Sequence, residues 1–306
     1  MAHPDHDHAH RHADDGHAYD RAFAIGTLLN VGFVAAEIAF GVAANSMALL
    51  ADATHNLGDV LGLLLGWGAA RLARLPPTRR RTYGWRRSSI LAALLNATIL
   101  LIGVGAIGVE AVRRVVAPVP VREATVILVA AAGIAVNGAT ALLFRHGRYG
   151  DINIRAQFLH MAADAAVSAA VVLAGLMILF TGWTWLDPVT SLGIGIVIVV
   201  ATWALLREAS NLAMDAVPDS VPHEQVQNYL ESVPGVLEVH DLHIWGLSTT
   251  ETALTAHLVC NDAAAKRTLH ELTADLHDRF GIGHTTLQIE TDADAELCRL
   301  RPHDVV

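Results

Sequence analysis

Beyond residue 20 the chain alternates long apolar runs with short polar breaks. Six apolar segments stand out, at about 22–43, 49–71, 88–112, 123–144, 155–181 and 188–206. Each is close to the ~20 residues that an α-helix needs to cross a bilayer. Their apolar residues are Ala, Val, Leu, Ile and Gly, and the small ones let helices pack closely in lipid. A tight turn at Gly41–Ser46 joins the first two segments. Thr181–Pro188, with Trp183 and Trp185, joins the last two, and indoles of this kind suit a membrane interface.

From about residue 208 the pattern becomes that of a soluble domain. Pro222–Val233 reads as a helix opened by proline. Val236–Leu247 and Thr252–Val259 read as a strand pair around Ser248–Glu251. Ala263–Phe280 reads as an amphipathic helix with Leu269, Leu272, Leu276 and Phe280 on one side, and Thr285–Glu290 as a third strand. The order α-β-β-α-β predicts a small α+β layer with helices on one sheet face. The fold class expected is an all-α six-helix transmembrane domain plus a small cytoplasmic α+β domain. The boundaries are a disordered His-rich leader at 1–20, the transmembrane domain at 21–207, the soluble domain at 208–291 and a flexible tail at 292–306.

Polar residues inside the apolar runs carry the chemistry. A charged side chain at mid-bilayer costs about 2.5–3.5 kcal/mol on insertion scales, so each needs a reason. The second segment holds Asp52, His55, Asn56 and Asp59 on one helix face. The fifth holds Gln157, His160, Asp164 and Ser168 as a second stripe. His-x-x-x-Asp occurs in both, as His55/Asp59 and His160/Asp164. An i, i+4 pair points both side chains the same way. Two such helices facing each other supply two imidazole nitrogens and two carboxylates, which suits the tetrahedral preference of Zn²⁺. Two ionised Asp and two neutral His also balance a divalent ion. Because those groups must lose their protons to bind metal, protons are the natural exchange partner. A purely structural role, helix-to-helix hydrogen bonding, is the plainer alternative for either motif alone. Asn30, Glu37, Asn96, Glu110 and Asn137 are read as helix contacts or vestibule residues.

Charge sets the orientation. The break between segments two and three holds Arg71, Arg74, Arg79, Arg80, Arg81, Arg86 and Arg87, and the next even-numbered break holds Arg145, Arg148 and Arg155. The opposite side holds a weaker cluster, Arg113, Arg114 and Arg122. The positive-inside rule makes the Arg-rich side cytoplasmic, with both termini on it. The net charge of −9 and the short basic loops argue against a nucleic-acid partner. Cys260 and Cys298 have no CxxC spacing, so neither a disulfide framework nor a zinc ribbon is expected. The leader carries His3, His6, His8, His10, His12 and His17, a composition suited to weak metal capture.

These residues resemble those of the cation diffusion facilitator family, the bacterial zinc, cobalt and cadmium exporters and their animal zinc-transporter relatives. The resemblance rests on Asn45–Asp59 (NSMALLADATHNLGD), Thr82–Arg87 (TYGWRR), His160–Asp164 (HMAAD), Val239–Trp245 (VHDLHIW) and Ala253–Leu258 (ALTAHL). It implies a six-helix antiporter with a cytoplasmic ferredoxin-like domain, usually a homodimer, and the Arg/Ala-rich composition points to the inner membrane of a bacterium. Its substrates would be Zn²⁺ and also Cd²⁺ or Co²⁺, exchanged for protons, with no resident cofactor and no enzymatic reaction. His55, Asp59, His160 and Asp164 fall on the family's transport-site positions, and Asp52 falls beside them. His240, His257 and Glu290 fall near positions where some relatives bind a regulatory metal; ordinary surface histidines are the plainer alternative. His243, His270, His277 and His284 are read as structural or solvated. Some relatives bind metal in the loop after segment two, but Pro76–Arg87 lacks His and Asp, so no such site is expected. A membrane metal sensor signalling through the soluble domain is the rival function. It would bind metal without net flux.

Overall fold

In a computed structural model of the chain, residues 30–144, 152–261 and 265–301 are described. The His-rich leader expected at 1–20 lies outside them. The helices of the apolar region are α1 (Asn30–Ala44), α2 (Met47–Ala73), α3 (Ser88–Val116), α4 (Glu123–Phe144), α5 (Ile152–Thr181) and α6 (Leu186–Ala213). The C-terminal part follows as α7 (His223–Glu231), β1 (Val236–Gly246), β2 (Thr252–Cys260), α8 (Ala265–Phe280), β3 (Ile282–Glu290) and α9 (Asp292–Leu297). The chain forms two compact units, one of residues 1–61 and 99–202, the other of 62–98 and 203–306.

Among the described residues, four of the six spans expected are long and apolar enough to cross a membrane: Ser88–Val116, Glu123–Leu142, Phe158–Thr181 and Leu186–Ala213. Only 17–33% of their apolar windows is buried within the chain. Large apolar side chains such as Leu91, Ile102, Leu128, Phe180 and Val200 therefore face outward. Such continuous apolar surface belongs against lipid tails. The described part of α1 is apolar but shorter. Helix α2 is long enough, at 27 residues, but its first half carries the polar stripe. Trp183 and Trp185 are exposed and stacked at 6.0 Å, as interface indoles would be.

The bundle in the first unit is tightened by glycine. A Cβ on Gly133 of α4 would lie 2.9 Å from both Phe33 Cζ and Ser168 Oγ, and one on Gly175 of α5 would lie 2.9 Å from Ile127 Cγ1. Backbones approach this closely only where no side chain intervenes. The turn before α2 passes through Asn45 at φ 56°, a left-handed position that Asn tolerates.

The C-terminal domain is a three-stranded sheet in the order β1-β2-β3, with β1 antiparallel and β3 parallel to β2. The parallel pair needs a crossover, which α8 supplies. Leu254, Ala256 and Leu258 of β2 join Val239, Ile244, Val226, Leu230, Leu272 and Leu276 in one apolar core. The period-2 alternation thus sets one sheet face against α7 and α8. Two boundaries differ from expectation. Gly281, at φ 70°, ends α8 sharply, and β3 pairs with β2 from Ile282 rather than Thr285. Residues 292–297, expected within a flexible tail, form α9. A reciprocal capping box starts that helix: Thr291 Oγ1 accepts from Asp294 N and the Asp294 side chain accepts from Thr291 N.

Candidate metal-binding sites

Helix periodicity brings the two His-x-x-x-Asp pairs together across α2 and α5, and the contacts cross between the helices. His55 Nε2 lies 3.1 Å from Asp164 Oδ1, and His160 Nε2 lies 3.3 Å from Asp59 Oδ2 and 3.7 Å from Asp164 Oδ2. The imidazole rings meet edge to face at 6.1 Å. One ligand atom from each of His55, Asp59 and Asp164 falls within a 4.8 Å cluster. Bonds of about 2.0–2.2 Å from a tetrahedral Zn²⁺ to N and O set ligand separations of about 3.3–3.6 Å. The His160–Asp59 separation is of that size, the His55–Asp164 contact at 3.1 Å is a hydrogen bond, and His160 stands outside the three-residue cluster. Asp164 is buried, whereas Asp59 and both histidines are partly open.

A polar layer backs the quartet. Ser168, one turn beyond Asp164, donates its hydroxyl to Asp52 Oδ2 at 3.0 Å. Asn56 Nδ2 donates to Glu37 Oε2 on α1 at 2.8 Å. Asp52 and Glu37 are fully buried. Asp52 therefore stands beside the quartet, and Glu37 makes the helix contact expected of it.

The sequence reading missed Asp187. This buried carboxylate at the start of α6 accepts from the Ser46 hydroxyl, from Met47 N at 2.6 Å and from Ala48 N at 3.3 Å. Ser46 Oγ in turn accepts from Leu49 N at 3.1 Å. The first three N–H groups of α2, which no helix can satisfy internally, are thus all capped. Asp187 anchors the helix that carries His55 and Asp59. The readable signal was Ser46 itself, a favoured N-cap residue opening an apolar run.

A second cluster forms in the α/β domain. His240 and His257 are paired directly across β1 and β2, and Glu290 of β3 sits beside Val259 on the same sheet face. His240 is 3% exposed and Glu290 is 4% exposed, so neither is a surface group. His240 Nε2 lies 3.3 Å from Glu290 Oε2, and His257 Nδ1 lies 3.0 Å from Glu290 Oε1. A bulge between His240 and His243, with Asp241 at φ 50°, swings the Asp241 carboxylate to 3.5 Å from His257 Nε2. Cys298, just past α9, also reaches this group. Of the histidines read as structural, His243 pairs with Asp241 at 2.9 Å and His284 packs edge-on against Tyr83.

Long apolar helices around a polar quartet, continued by a small α/β domain, define the class: an integral membrane transporter of cations with a small C-terminal α/β domain. Within that class the chain belongs to the cation efflux family. Residues 23–212 match the cation efflux transmembrane domain, and residues 218–292 match the cytoplasmic domain of cation efflux proteins, a dimerisation domain that supports a homodimer. The metal cation efflux system protein CzcD of Cupriavidus metallidurans is 35% identical over 90% of each chain. The zinc transporter ZitB of Escherichia coli is 33% identical over 95% of this chain and 93% of that one. A cadmium, cobalt and zinc/H(+)-K(+) antiporter of Bacillus subtilis is 29% identical over 92% and 94%. A solved metal-bound C-terminal domain of the CzcD transporter is 39% identical, covers 23% of this chain and 99% of that one, and has a TM-score of 0.21.

Proposed function

We propose that the chain exports Zn²⁺, and also Cd²⁺ and Co²⁺, from the cytoplasm in exchange for protons, through a site formed by His55, Asp59, His160 and Asp164. The observation that carries this reading is the crossed pairing of the two motifs, each His facing the Asp of the other helix. Three of these side chains, His55, Asp59 and Asp164, already bring ligand atoms within 4.8 Å of one another, and His160 reaches Asp59 at 3.3 Å. The charge count supports the exchange. Two carboxylates and two neutral imidazoles offset a divalent cation, and all four must be deprotonated to hold it. Protons arriving from the far side compete for the same four groups, so the site carries either metal or protons. The names of the relatives support the choice of ions.

The reading includes six membrane spans, counting α1 and α2, with both termini cytoplasmic and a ferredoxin-like soluble domain. It places the chain in a bacterial inner membrane as a homodimer. The cluster of His240, His257 and Glu290 would bind metal as a regulatory ligand and favour one geometry of the dimer.

The test is zinc flux into proteoliposomes under an imposed pH gradient. Asp59→Ala and Asp164→Ala should each abolish flux while the protein still folds. Wild-type flux in both variants would refute the site. Zinc binding without flux in the wild type would favour a membrane sensor instead.

A further inference from the structure

The cluster in the α/β domain holds more than the three residues that the family resemblance implies. His240 is almost fully buried, yet neither of its ring nitrogens has a hydrogen-bond partner. Glu290 Oε2 is equally buried and equally without a donor. The two approach to 3.3 Å without hydrogen-bond geometry. A buried imidazole and a buried carboxylate oxygen left in this way are costly unless something satisfies both. A cation does so, because each offers it a lone pair.

The far nitrogens of both rings face carboxylates. Glu238 Oε1 lies 3.6 Å from His240 Nδ1, and Asp241 Oδ2 lies 3.5 Å from His257 Nε2. Both contacts are longer than a hydrogen bond, so each acid supplies negative charge behind its ring. The opposite nitrogens, His240 Nε2 and His257 Nδ1, point at Glu290. The remaining group at that point is a thiol. Cys298 Sγ lies 3.6 Å from His257 Nδ1, and one ligand atom from each of His240, His257, Glu290 and Cys298 falls within 4.8 Å of the others. Metal bonds of about 2.0–2.3 Å imply ligand separations of about 3.3–3.8 Å.

We propose that Cys298 is the fourth ligand of this site, which therefore takes a thiol-accepting divalent ion, Zn²⁺ or Cd²⁺, and clasps the C-terminal segment onto the sheet. This rests on the reading of the cluster as a metal site. The fold holds Cys298 in place from both sides. Before it, the capping box starts α9, whose Ala295 is buried. After it, Arg301 donates to both oxygens of Glu238, at 3.1 and 2.8 Å. The same Glu238 stands behind His240, so the tail and the first histidine share an anchor. The donor set also differs in kind from the quartet between α2 and α5. A thiolate favours Zn²⁺ and Cd²⁺ and discriminates against Mg²⁺ and Ca²⁺, which prefer oxygen.

Cobalt(II) titration of the full-length protein tests this, because a thiolate ligand gives a sulfur-to-cobalt charge-transfer band that His and Asp ligands do not. The wild type should show the band at one thiolate-bound cobalt per chain. Cys298→Ser should lose it, and Cys260→Ser, a change in the apolar core away from the cluster, should keep it. In parallel, Zn²⁺ should slow alkylation of Cys298 by iodoacetamide in the wild type and not in His240→Ala. A band that survives Cys298→Ser overturns the proposal. So does one equivalent of cobalt lost in His240→Ala with no band in the wild type, an outcome that leaves the metal site standing without the thiol. If His240→Ala loses no cobalt and no band is seen, both readings fall.

Discussion

Replacing Asp187 should damage the membrane region more than any surface carboxylate would, although Asp187 is not a metal ligand. Its carboxylate accepts three hydrogen bonds at the start of α2, two of them from backbone N–H groups. Asp187→Ala leaves those donors buried and unpaired and removes a negative charge from the positive end of the helix. An N-cap is worth about 0.5–2 kcal/mol. A hydrogen bond to a charged group is worth about 1.5–3 kcal/mol, and a partly buried charge at a helix end up to about 2 kcal/mol. These terms overlap, since one carboxylate supplies them all, and about 3 kcal/mol is a central value for the loss. At about 2–4 °C per kcal/mol for a unit of this size, melting should fall by about 6–12 °C. Asp187→Asn keeps an acceptor oxygen and should fall between wild type and Ala. His55 lies about 12 Å further along the helix axis, so zinc binding per folded molecule should survive. Thermal melting in detergent, followed by equilibrium dialysis of zinc below the melting point, reads both effects. If Asp187→Ala melts with the wild type, the capping argument is wrong. If it loses zinc while melting normally, Asp187 belongs to the binding site.

Two further outcomes follow from packing and titration. Gly133→Ala places a methyl against the Phe33 ring and Ser168 Oγ and should cost about 1–3 kcal/mol by overpacking. Gly138→Ala, on the same helix with nothing within 4 Å, should stay within about 0.5 kcal/mol; equal melting temperatures for the two would refute the close approach. In the α/β domain, Tyr229 donates to Asp275 Oδ2 at 2.5 Å, and burial together with that carboxylate pushes its hydroxyl up to about 12. The folded state then holds its proton where an unfolded chain, near 10, does not. The contribution is therefore complete below pH ~10 and is lost as pH rises through ~12. Tyr229→Phe should flatten that part of the alkaline unfolding curve, and an unchanged curve would refute the contact.

The quartet between α2 and α5 is legible in the sequence because its geometry is local. An i, i+4 spacing inside an apolar run sets His55 and Asp59 on one face of one helix, and His160 and Asp164 on one face of another. Only the meeting of the two faces is tertiary, and placing four polar groups within an apolar bundle leaves few alternatives. The strand pattern of the α/β domain is legible for the same reason, since alternation decides which residues of β2 face α7 and α8. Asp187 is not legible. It lies 139–141 residues from the groups it caps, next to a proline, where an Asp reads equally well as an ordinary turn residue.

The second cluster marks the limit of such reading more sharply. Face parity correctly places His257 away from Leu254 and Leu258, and Glu290 away from Leu287 and Ile289, but a face away from the core looks solvated in a sequence. What covers it is the segment that composition alone makes a loose tail. Thr291 and Asp294 carry a capping signal three residues apart, directly after β3, and that signal is enough to start a helix where a flexible tail was expected. Once α9 exists, it turns the chain so that Cys298 comes within reach of His257, and Arg301 closes on Glu238. A cysteine without a CxxC partner is uninformative in a linear pattern. Here its partners are two histidines and a glutamate on three different strands, and only the bulge at Asp241, the pairing register and a six-residue helix bring them together.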